Sequence, residues 1–313
     1  MELALACASH TPMLLEEAYS DAATCAKVRD SYDRLAHFVR DFAPEQIIQF
    51  SPDHYHGFHY DNMPSFCIGA AARSYGDWKT GTGALPVDED FALDMLDAVR
   101  AADIDAAVSF DMVVDHGFIQ LWETMFGRFD AYPIVPVFVN AIAYPLPAYR
   151  RARLLGEAVG RFAQRSGRRI LFSASGGLSH DPVIPMIRGA TPEVRDRLIG
   201  RSTFTPEQQA RREIQVREAA RLAMTDQGPS RPLNPEWDRK LLDTLARADW
   251  ATTDRFTAES VDAVAGAGGN EILCWVAATA ALAATGSFEV VQQDYVDVPG
   301  WIAGMAHFAA RPA

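Results

Sequence analysis

In the first part of the chain, two short apolar runs each end beside a histidine and a proline. The run 3–8 ends beside His10, and the run 46–51 ends beside His54. Each run is typical of a strand buried on both faces of a sheet. The proline that follows ends the strand, because proline has no N–H to donate to a neighbouring strand. Between the runs, apolar residues recur every three or four positions, as on one face of a helix: Val28, Tyr32, Leu35, Phe38 and Phe42. The pattern predicts a strand–helix–strand unit whose strands both end at a histidine.

Strands and helices continue to alternate through the middle of the chain. The hydrophobic pattern predicts strands over 106–110, 134–139 and 170–175, and helices over 88–100 and 147–166. Pro136 cannot donate to a ladder, which moves its strand toward a sheet edge or a bulge. The alternation predicts an α/β fold, a single domain over residues 1–313 with a central mixed sheet flanked by helices.

The last third of the chain holds a charged segment followed by an apolar one. Residues 191–254 are charged and helix-prone, which predicts a helical insertion or a lid. A glycine-rich segment precedes Glu271 and an apolar helix over 272–284, and the helix dipole favours a carboxylate in that first turn. A strand over 288–296 finishes the predicted sheet, and His307 beyond it is interpreted as a packing or surface residue.

Charge and cysteine content exclude several classes of partner. The net charge of −12, with no marked basic cluster, argues against a nucleic-acid surface. The longest apolar run is too short to cross a bilayer, so no membrane insertion is expected. The four cysteines form no CxxC pair, and the first residues lack a basic segment before their apolar run. These features predict neither disulfides nor a signal peptide, and they favour a cytoplasmic protein.

Three histidines are expected to meet at one edge of the predicted sheet. His10, His54 and His180 each lie within a few residues of the carboxyl end of a predicted strand, and a parallel sheet brings such ends together. Two imidazoles and one carboxylate form the facial triad that suits ferrous iron. His10, His54 and Glu271 are candidates for that triad. On spacing alone, however, the helix dipole remains the simpler explanation of Glu271.

Carboxylates beside these histidines extend the candidate site. Asp53 is a candidate to bind the metal, to orient a histidine or to cap the loop, and we group it with the supporting residues. His116 follows Asp115 and His180 precedes Asp181, so each histidine is a candidate acid or base near neutral pH. The sequence carries no phosphate-binding loop, GxSxG elbow or dinucleotide fingerprint, which leaves a metal site without an organic cofactor.

The residues alone leave three functions open. One is an iron-dependent oxygenase, and the second is a metal-dependent hydrolase in which His10, Asp53 and His54 hold zinc and activate a water. The third is a non-catalytic metal-binding protein, because fold does not fix function. Oxygen consumption separates the first two. The presence of His116 and His180 beside a full ligand set argues against the third.

Five motifs occur in order along the chain: ASHTP around His10, FSPDHY around His54, VDHG around His116, GGLSHDP around His180 and GGNE around Glu271. With these motifs the chain resembles the class III extradiol ring-cleavage dioxygenases, the superfamily of the protocatechuate 4,5-dioxygenase β subunit. The likeness covers nearly the whole chain and is greatest to the members that cleave 2,3-dihydroxyphenylpropionate and 2,3-dihydroxycinnamate. Five motifs in the family's order are far more specific than any one of them.

The resemblance implies an iron enzyme. It implies Fe(II) bound by His10, His54 and Glu271, a catecholic aromatic acid as the substrate, O2 as the co-substrate, and a homo-oligomeric assembly. Another catechol, such as protocatechuate, is the alternative substrate. His56 departs from the family's pattern, in which we expect asparagine at this position, and it raises the question of an additional weak ligand.

The resemblance also implies roles in proton transfer. His116 corresponds to the proton donor and His180 to the proton acceptor, while Asp115 and Pro182 correspond to residues that support them. A catechol hydroxyl bound to a cation loses its proton more readily, because the cation stabilises the oxyanion. The resemblance therefore implies that substrate binding is coupled to deprotonation by His180.

Overall fold

The computed structural model describes residues 2–225, 227–228 and 230–313. Its strands are β1 Leu3–Ala8, β2 Gln46–Ser51, β3 Phe66–Gly69, β4 Ala72–Ser74, β5 Gly83–Ala84, β6 Ala107–Ser109, β7 Met112–Val114, β8 Ile134–Val139, β9 Ile170–Ser175, β10 Phe288–Val298 and β11 Ala303–Pro312. Its α-helices are α1 Ala22–Phe42, α2 Glu89–Arg100, α3 His116–Phe126, α4 Tyr149–Ser166, α5 Pro192–Leu198, α6 Pro206–Ala223, α7 Pro235–Ala246, α8 Trp250–Thr253, α9 Ala258–Ala265 and α10 Ile272–Ala283. Short 3₁₀ helices include Asp77–Lys79 and Ala267–Glu271.

A mixed eight-stranded sheet forms the centre of the molecule, as the sequence predicts. Its strand order is β10-β11-β1-β9-β2-β8-β3-β6. The four central strands β1, β9, β2 and β8 run parallel, whereas β11 and β3 join them antiparallel on either side. The carboxyl ends of β1, β9 and β2 therefore meet at one edge, and this edge carries the candidate site. A small sheet of order β5-β4-β7 lies beside it.

Both faces of the sheet are covered, which explains its continuous apolar strands. Along β1, alternate residues contribute to two separate hydrophobic cores. Leu3, Leu5 and Cys7 pack in one core with residues of α2, α4 and α10. Ala4 and Ala6 pack in the other core with residues of α1 and α3. The period of two along the strand thus sorts its side chains between two helical layers.

A close approach of two helices fixes α10, the helix that follows Glu271. Side chains at Gly156 and Gly160 of α4 would lie 2.0 Å from the carbonyl oxygens of Ala277 and Ala281 in α10. Only glycine fits at this distance. Because α10 is also buried on all sides from its start, its first turn has a fixed position above the sheet edge.

Three features differ from the sequence predictions. β8 lies in the interior of the sheet between β2 and β3, and it pairs with β2 without a register shift, so the prediction that Pro136 marks an edge or a bulge was wrong. Its pairing with β3 ends at Val137, and the neighbouring Gly69 leaves room for the proline ring. His116 begins α3 instead of preceding it in a turn. The segment containing His307 is strand β11, which the sequence analysis missed.

The charged segment 191–254 is helical, and it contains α5, α6, α7 and α8. Its role as an insertion or lid stays a prediction. In the described part of the chain, no helix combines the length and the apolar character needed to span a bilayer.

Candidate metal centre

The site is built where three strands end and α10 begins. His10 follows β1, His54 follows β2, and His180 follows β9. The buried carboxylate of Glu271 contacts all three rings. Its Oε2 lies 3.5 Å from His10 Nε2, and its Oε1 lies 3.5 Å from His54 Nε2 and 3.3 Å from His180 Nε2. The structure thus brings the three predicted histidines together around the predicted carboxylate.

Hydrogen bonds at Nδ1 turn the Nε2 atoms of two histidines toward Glu271. His10 Nδ1 lies 2.8 Å from Ser175 Oγ at the end of β9. His54 Nδ1 donates to Asp115 Oδ2 at 3.0 Å, because a carboxylate oxygen only accepts. In the neutral ring, His54 Nε2 carries the lone pair that a metal ion needs, and it faces Glu271, which is how carboxylate partners orient histidine ligands.

Glycines let Glu271 approach the end of β9. A side chain at Gly176 would lie 2.9 Å from the Glu271 Cβ, and Gly177 N–H donates to Glu271 Oε2 at 2.8 Å. The His180 ring is enclosed in the same way, since a Cβ at Gly268 would lie 2.2 Å from its Nε2. The glycine pair in GGLSHDP and the first glycine of GGNE are thus explained by the space that Glu271 and the His180 ring occupy, whereas a Cβ at Gly269 would lie 2.7 Å from the Ala265 Cβ.

Asp115 forms its hydrogen bonds with His54 and not with the ring of the histidine that follows it in sequence. It is fully buried at the N-terminus of α3, and its Oδ2 accepts from the His54 backbone N–H at 2.7 Å and from the His54 ring. The Asp115 Oδ2 also lies 3.3 Å from His56 Nδ1. The Asp115 carboxylate makes no hydrogen bond to the His116 ring, whose hydrogen-bond partner is a different carboxylate.

The partner of His116 is Asp77, which the sequence analysis missed. Asp77 Oδ1 accepts from the His116 backbone N–H at 2.8 Å, and Oδ2 lies 2.5 Å from its Nδ1. Asp77 begins a 3₁₀ turn in which Gly76 and Trp78 have positive φ values of 81° and 49°. The Gly76-Asp77 pair is a turn signal, but it gives no information about a partner 39 residues away.

The His116 ring lies against the two candidate ligand rings. Its centroid is 4.5 Å from that of His54 in a stacked arrangement, and 5.2 Å from that of His10 in an edge-on arrangement. Ring nitrogens of these three histidines all lie within 4.8 Å of one another. His116 is therefore close enough to act on a molecule bound at the metal.

His180 is held by its backbone and by its Nδ1. The Nδ1 donates to the Leu178 carbonyl at 2.8 Å, and the backbone N–H donates to the Ala265 carbonyl at 2.8 Å. Asp181 does not serve this histidine, because it pairs with Arg231 at 2.9 Å. Pro182 follows in the half-buried loop, where Asp181 makes the hydrogen bonds.

Asp53 closes the loop after β2. Its carboxylate accepts backbone N–H groups of His56, Gly57 and Phe58 at distances of 2.9 to 3.1 Å. Of the three roles considered for Asp53, these contacts correspond to loop capping. The His56 ring that follows lies 4.3 Å from the ring of Tyr75, so the loop contacts the segment that carries Asp77.

In this site, burial and neighbouring charges shift the pKa of each titratable side chain in opposite directions. Burial lowers the pKa of His10 to about 3, although Glu271 opposes the shift. Burial would raise the pKa of Glu271, but His180 and His10 outweigh it and hold that pKa well below its usual range. Neutral imidazole and ionised carboxylate are the forms that bind metals. For His54, burial is outweighed by Asp115 and Glu271, which raise its pKa, and a bound cation would compete with that proton.

Two imidazoles and one carboxylate meet at the carboxyl edge of a mixed α/β sheet, and this buried donor set could hold a metal ion. The family to which such a centre belongs follows from comparison with known proteins. Residues 4–306 match the family model described as the catalytic LigB subunit of aromatic ring-opening dioxygenase. The chain belongs to this family, and it is an extradiol catechol dioxygenase of aromatic catabolism.

Full-length relatives agree with the family. The chain is 44% identical over 315 residues to "2,3-dihydroxyphenylpropionate/2,3-dihydroxicinnamic acid 1,2-dioxygenase" of Cupriavidus pinatubonensis, with 100% of this chain and 99% of the relative covered. Enzymes with the same descriptive name from Pseudomonas putida and a Rhodococcus species are 43% and 44% identical. These alignments cover 99% and 97% of this chain, and 99% and 96% of the relatives. The family implies a metal, and the histidine–carboxylate cluster can hold one.

Proposed function

We propose that this chain is an Fe(II)-dependent dioxygenase that opens the ring of 3-(2,3-dihydroxyphenyl)propanoate and 2,3-dihydroxycinnamate with O2. The products are 2-hydroxy-6-oxonona-2,4-dienedioate and its triene analogue, so both oxygen atoms enter the product. The observation that carries the proposal is the convergence of His10, His54 and Glu271 on one point. The choice of substrate rests on the descriptive names of the relatives.

Three side chains fit an iron ion in this proposal. His10 and His54 offer Nε2 atoms whose rings are oriented through Nδ1, and Glu271 offers an ionised carboxylate 3.5 Å from each. Two nitrogens and one oxygen are the donor set that suits non-haem ferrous iron. Bound Fe(II) supplies the Lewis acidity and the redox capacity that catechol and O2 activation require.

His180 is the proton acceptor in this proposal. Because its Nδ1 donates to the Leu178 carbonyl, the neutral ring carries its lone pair on Nε2. That atom lies 3.3 Å from Glu271 Oε1, beside the proposed iron ligand. A catechol that binds there presents a hydroxyl group to Nε2, and His180 removes its proton.

His116 is the proton donor in this proposal. Its Nδ1 is occupied by Asp77, so Nε2 is the atom that delivers a proton to the substrate. Burial would raise the pKa of Asp77, but the contact with His116 outweighs it and lowers that pKa. Asp77 therefore stays ionised, and His116 can donate a proton to the substrate during ring opening and recover it when the product forms.

The experiment is anaerobic reconstitution with Fe(II), followed by measurement of oxygen uptake and of the visible spectrum. The substrates are 2,3-dihydroxyphenylpropionate, protocatechuate and catechol, and protein reconstituted with Zn(II) is the metal control. Oxygen uptake and a yellow product that are strongest with the first substrate support the proposal. Stronger uptake with another catechol would reassign the substrate, and no uptake with any catechol would reject the reaction. Light scattering tests the homo-oligomer that the resemblance implies.

A further inference from the structure

Helix α7 places a buried carboxylate beside the segment that carries His180. The side chain of Asp238 is fully buried. Its Oδ1 accepts the backbone N–H of Ser179 at 2.8 Å, and its Oδ2 accepts the Ser179 hydroxyl at 2.6 Å. Both carboxylate oxygens therefore bind the residue that directly precedes His180.

Ser179 is held on its other sides as well. Its Oγ accepts the backbone N–H of Asn234, the residue that caps the start of α7, at 2.8 Å. Its carbonyl accepts the backbone N–H of Gly304 in β11 at 3.1 Å. Because a buried network whose members all have partners is rigid, Ser179 has a fixed place between α7 and β11.

Two residues of the sheet complete the surroundings of Asp238. The Tyr295 hydroxyl in β10 donates to Asp238 Oδ2 at 2.6 Å. Gly304 leaves space for the carboxylate, since a Cβ added there would lie 2.4 Å from the same oxygen. A buried carboxylate needs such donors, because burial without hydrogen bonds is costly. Asp238 is thus held in one position by α7, by β10 and by its two bonds to Ser179.

One peptide bond connects Asp238 with the His180 ring. The N–H of Ser179 and the carbonyl of Leu178 belong to the same peptide unit, which is planar. Asp238 accepts from that N–H, and His180 Nδ1 donates to that carbonyl at 2.8 Å. Hydrogen bonds in a chain polarise and strengthen one another. Asp238 therefore fixes the plane of the peptide that orients the ring, and it strengthens the bond between them.

The orientation of this ring decides which of its atoms faces the substrate. With Nδ1 bound to the carbonyl, Nε2 lies 3.3 Å from Oε1 of Glu271, the proposed iron ligand. We propose that Asp238 is the positioning residue of His180 and that it acts through the peptide bond that precedes Ser179. This inference rests on the proposed function, in which His180 accepts the proton of the catechol. It gives helix α7 a part in the reaction.

Steady-state kinetics with 2,3-dihydroxyphenylpropionate give the first test. Asp238→Ala should lower kcat/KM about 10- to 100-fold, the range expected for a lost hydrogen bond to a charged group. Asp238→Asn should fall between wild type and Asp238→Ala, because its amide keeps one oxygen that can accept from Ser179, and it carries the test if Asp238→Ala does not fold. Both variants should keep their iron, since the hydrogen bonds of Asp238 go to Ser179 and Tyr295.

Asp243→Ala is the matched control, because it removes a carboxylate from an exposed position of the same helix. Asp243 also binds β10, since its Oδ1 accepts from Gln293 Nε2 at 2.9 Å, and the variant should behave like wild type. Tyr295→Phe removes one partner of Asp238 and leaves both bonds to Ser179, so its loss should be smaller than that of Asp238→Ala. An equal loss in Tyr295→Phe would assign the effect to the packing of β10 and overturn the inference.

Ligand binding without O2 separates the positioning of a base from a general structural role. Catechol and 4-nitrocatechol differ only in a nitro group, which makes the hydroxyl groups more acidic and less dependent on a protein base. In Fe(II)-loaded Asp238→Ala, the affinity for catechol, measured by calorimetry, should fall about 10- to 100-fold. The affinity for 4-nitrocatechol, measured from its visible spectrum, should fall much less. Equal losses for the two compounds would show a structural role and overturn the inference.

The same titrations separate this inference from the proposed function. If wild-type protein binds both compounds and turns over no catechol, the proposed function fails, and the two affinities still decide the role of Asp238. If wild-type protein turns over catechols and Asp238→Ala matches it in kcat/KM and in both affinities, the proposed function stands and the role of Asp238 is rejected.

Discussion

The candidate metal centre has two halves that are built differently. In the strand-end half, His10, His54 and Glu271 are held by parallel strands and by a buried helix. In the loop half, Asp77 and His116 meet through a turn with left-handed backbone and through the start of α3. The first half presents metal-binding atoms, and the second presents a histidine with a carboxylate partner. The difference suggests that metal binding and proton transfer can be changed separately.

The largest effect is expected in the strand-end half. Glu271→Gln keeps the shape of the side chain and an oxygen that can accept from Gly177, but it removes the charge that faces His10 and His54. The purified variant should contain almost no iron after reconstitution, and its oxygen uptake should fall below detection. Metal analysis beside circular dichroism measures this. Bound iron at the wild-type level would remove Glu271 from the ligand set.

Loss of an acid or a base should leave the metal in place. His116→Ala and His180→Ala should each retain iron while their turnover falls about 100- to 10,000-fold, the range of general acid–base catalysis. Iron content and kcat, measured on the same preparations, test the separation. Wild-type turnover in either variant would exclude that histidine from proton transfer. Loss of iron in His116→Ala would show that the two halves are not separable.

The two carboxylates that support the histidines should give opposite results. Asp115→Asn should weaken Fe(II) binding about 10- to 100-fold, because Asp115 orients the His54 ring. Asp77→Asn should leave Fe(II) binding unchanged and lower kcat, because Asp77 contacts His116. A competition titration for Fe(II) and steady-state kinetics measure the two quantities. The same defect in both variants would contradict the division into halves.

The smallest effect is expected for His56, which touches both halves. It shares Asp115 with His54, and its ring lies against Tyr75. His56→Asn should keep its iron and change turnover by no more than about 10-fold, because one hydrogen bond is lost and no metal-binding atom is removed. A clear drop in iron content would instead identify His56 as an additional ligand.

The strand-end half was largely predictable from the sequence, because it depends on where strands end, and the hydrophobic pattern indicates those ends. Apolar runs before His10, His54 and His180 indicate strands, and parallel strands place their ends at one edge. Glu271 was less certain, since the same position suits a helix dipole. Its placement depends on how closely α4 and α10 approach each other, and a single sequence does not report that distance.

The loop half was not predictable for a physical reason. The contact between Asp77 and His116 depends on the backbone of the turn at Gly76 and on the small sheet beside it. The carboxylates next to His116 and His180 in sequence were misleading. Asp115 accepts a hydrogen bond from His54, and Asp181 forms an ion pair with Arg231. Strand β11 was missed for a similar reason, since its alanine-rich segment becomes a strand by pairing with β1 and β10.

The pairing of β11 with β1 has a consequence during protein synthesis. Ser9, the residue before His10, donates to the Gly304 carbonyl, and the two residues are 295 positions apart. A ribosome that adds about 5–20 residues per second needs about 15–60 s to cover that distance. During this interval one edge of β1 has no strand beside it, and an open edge attracts other chains. The segment around His10 therefore acquires its final surroundings only after translation has passed Gly304.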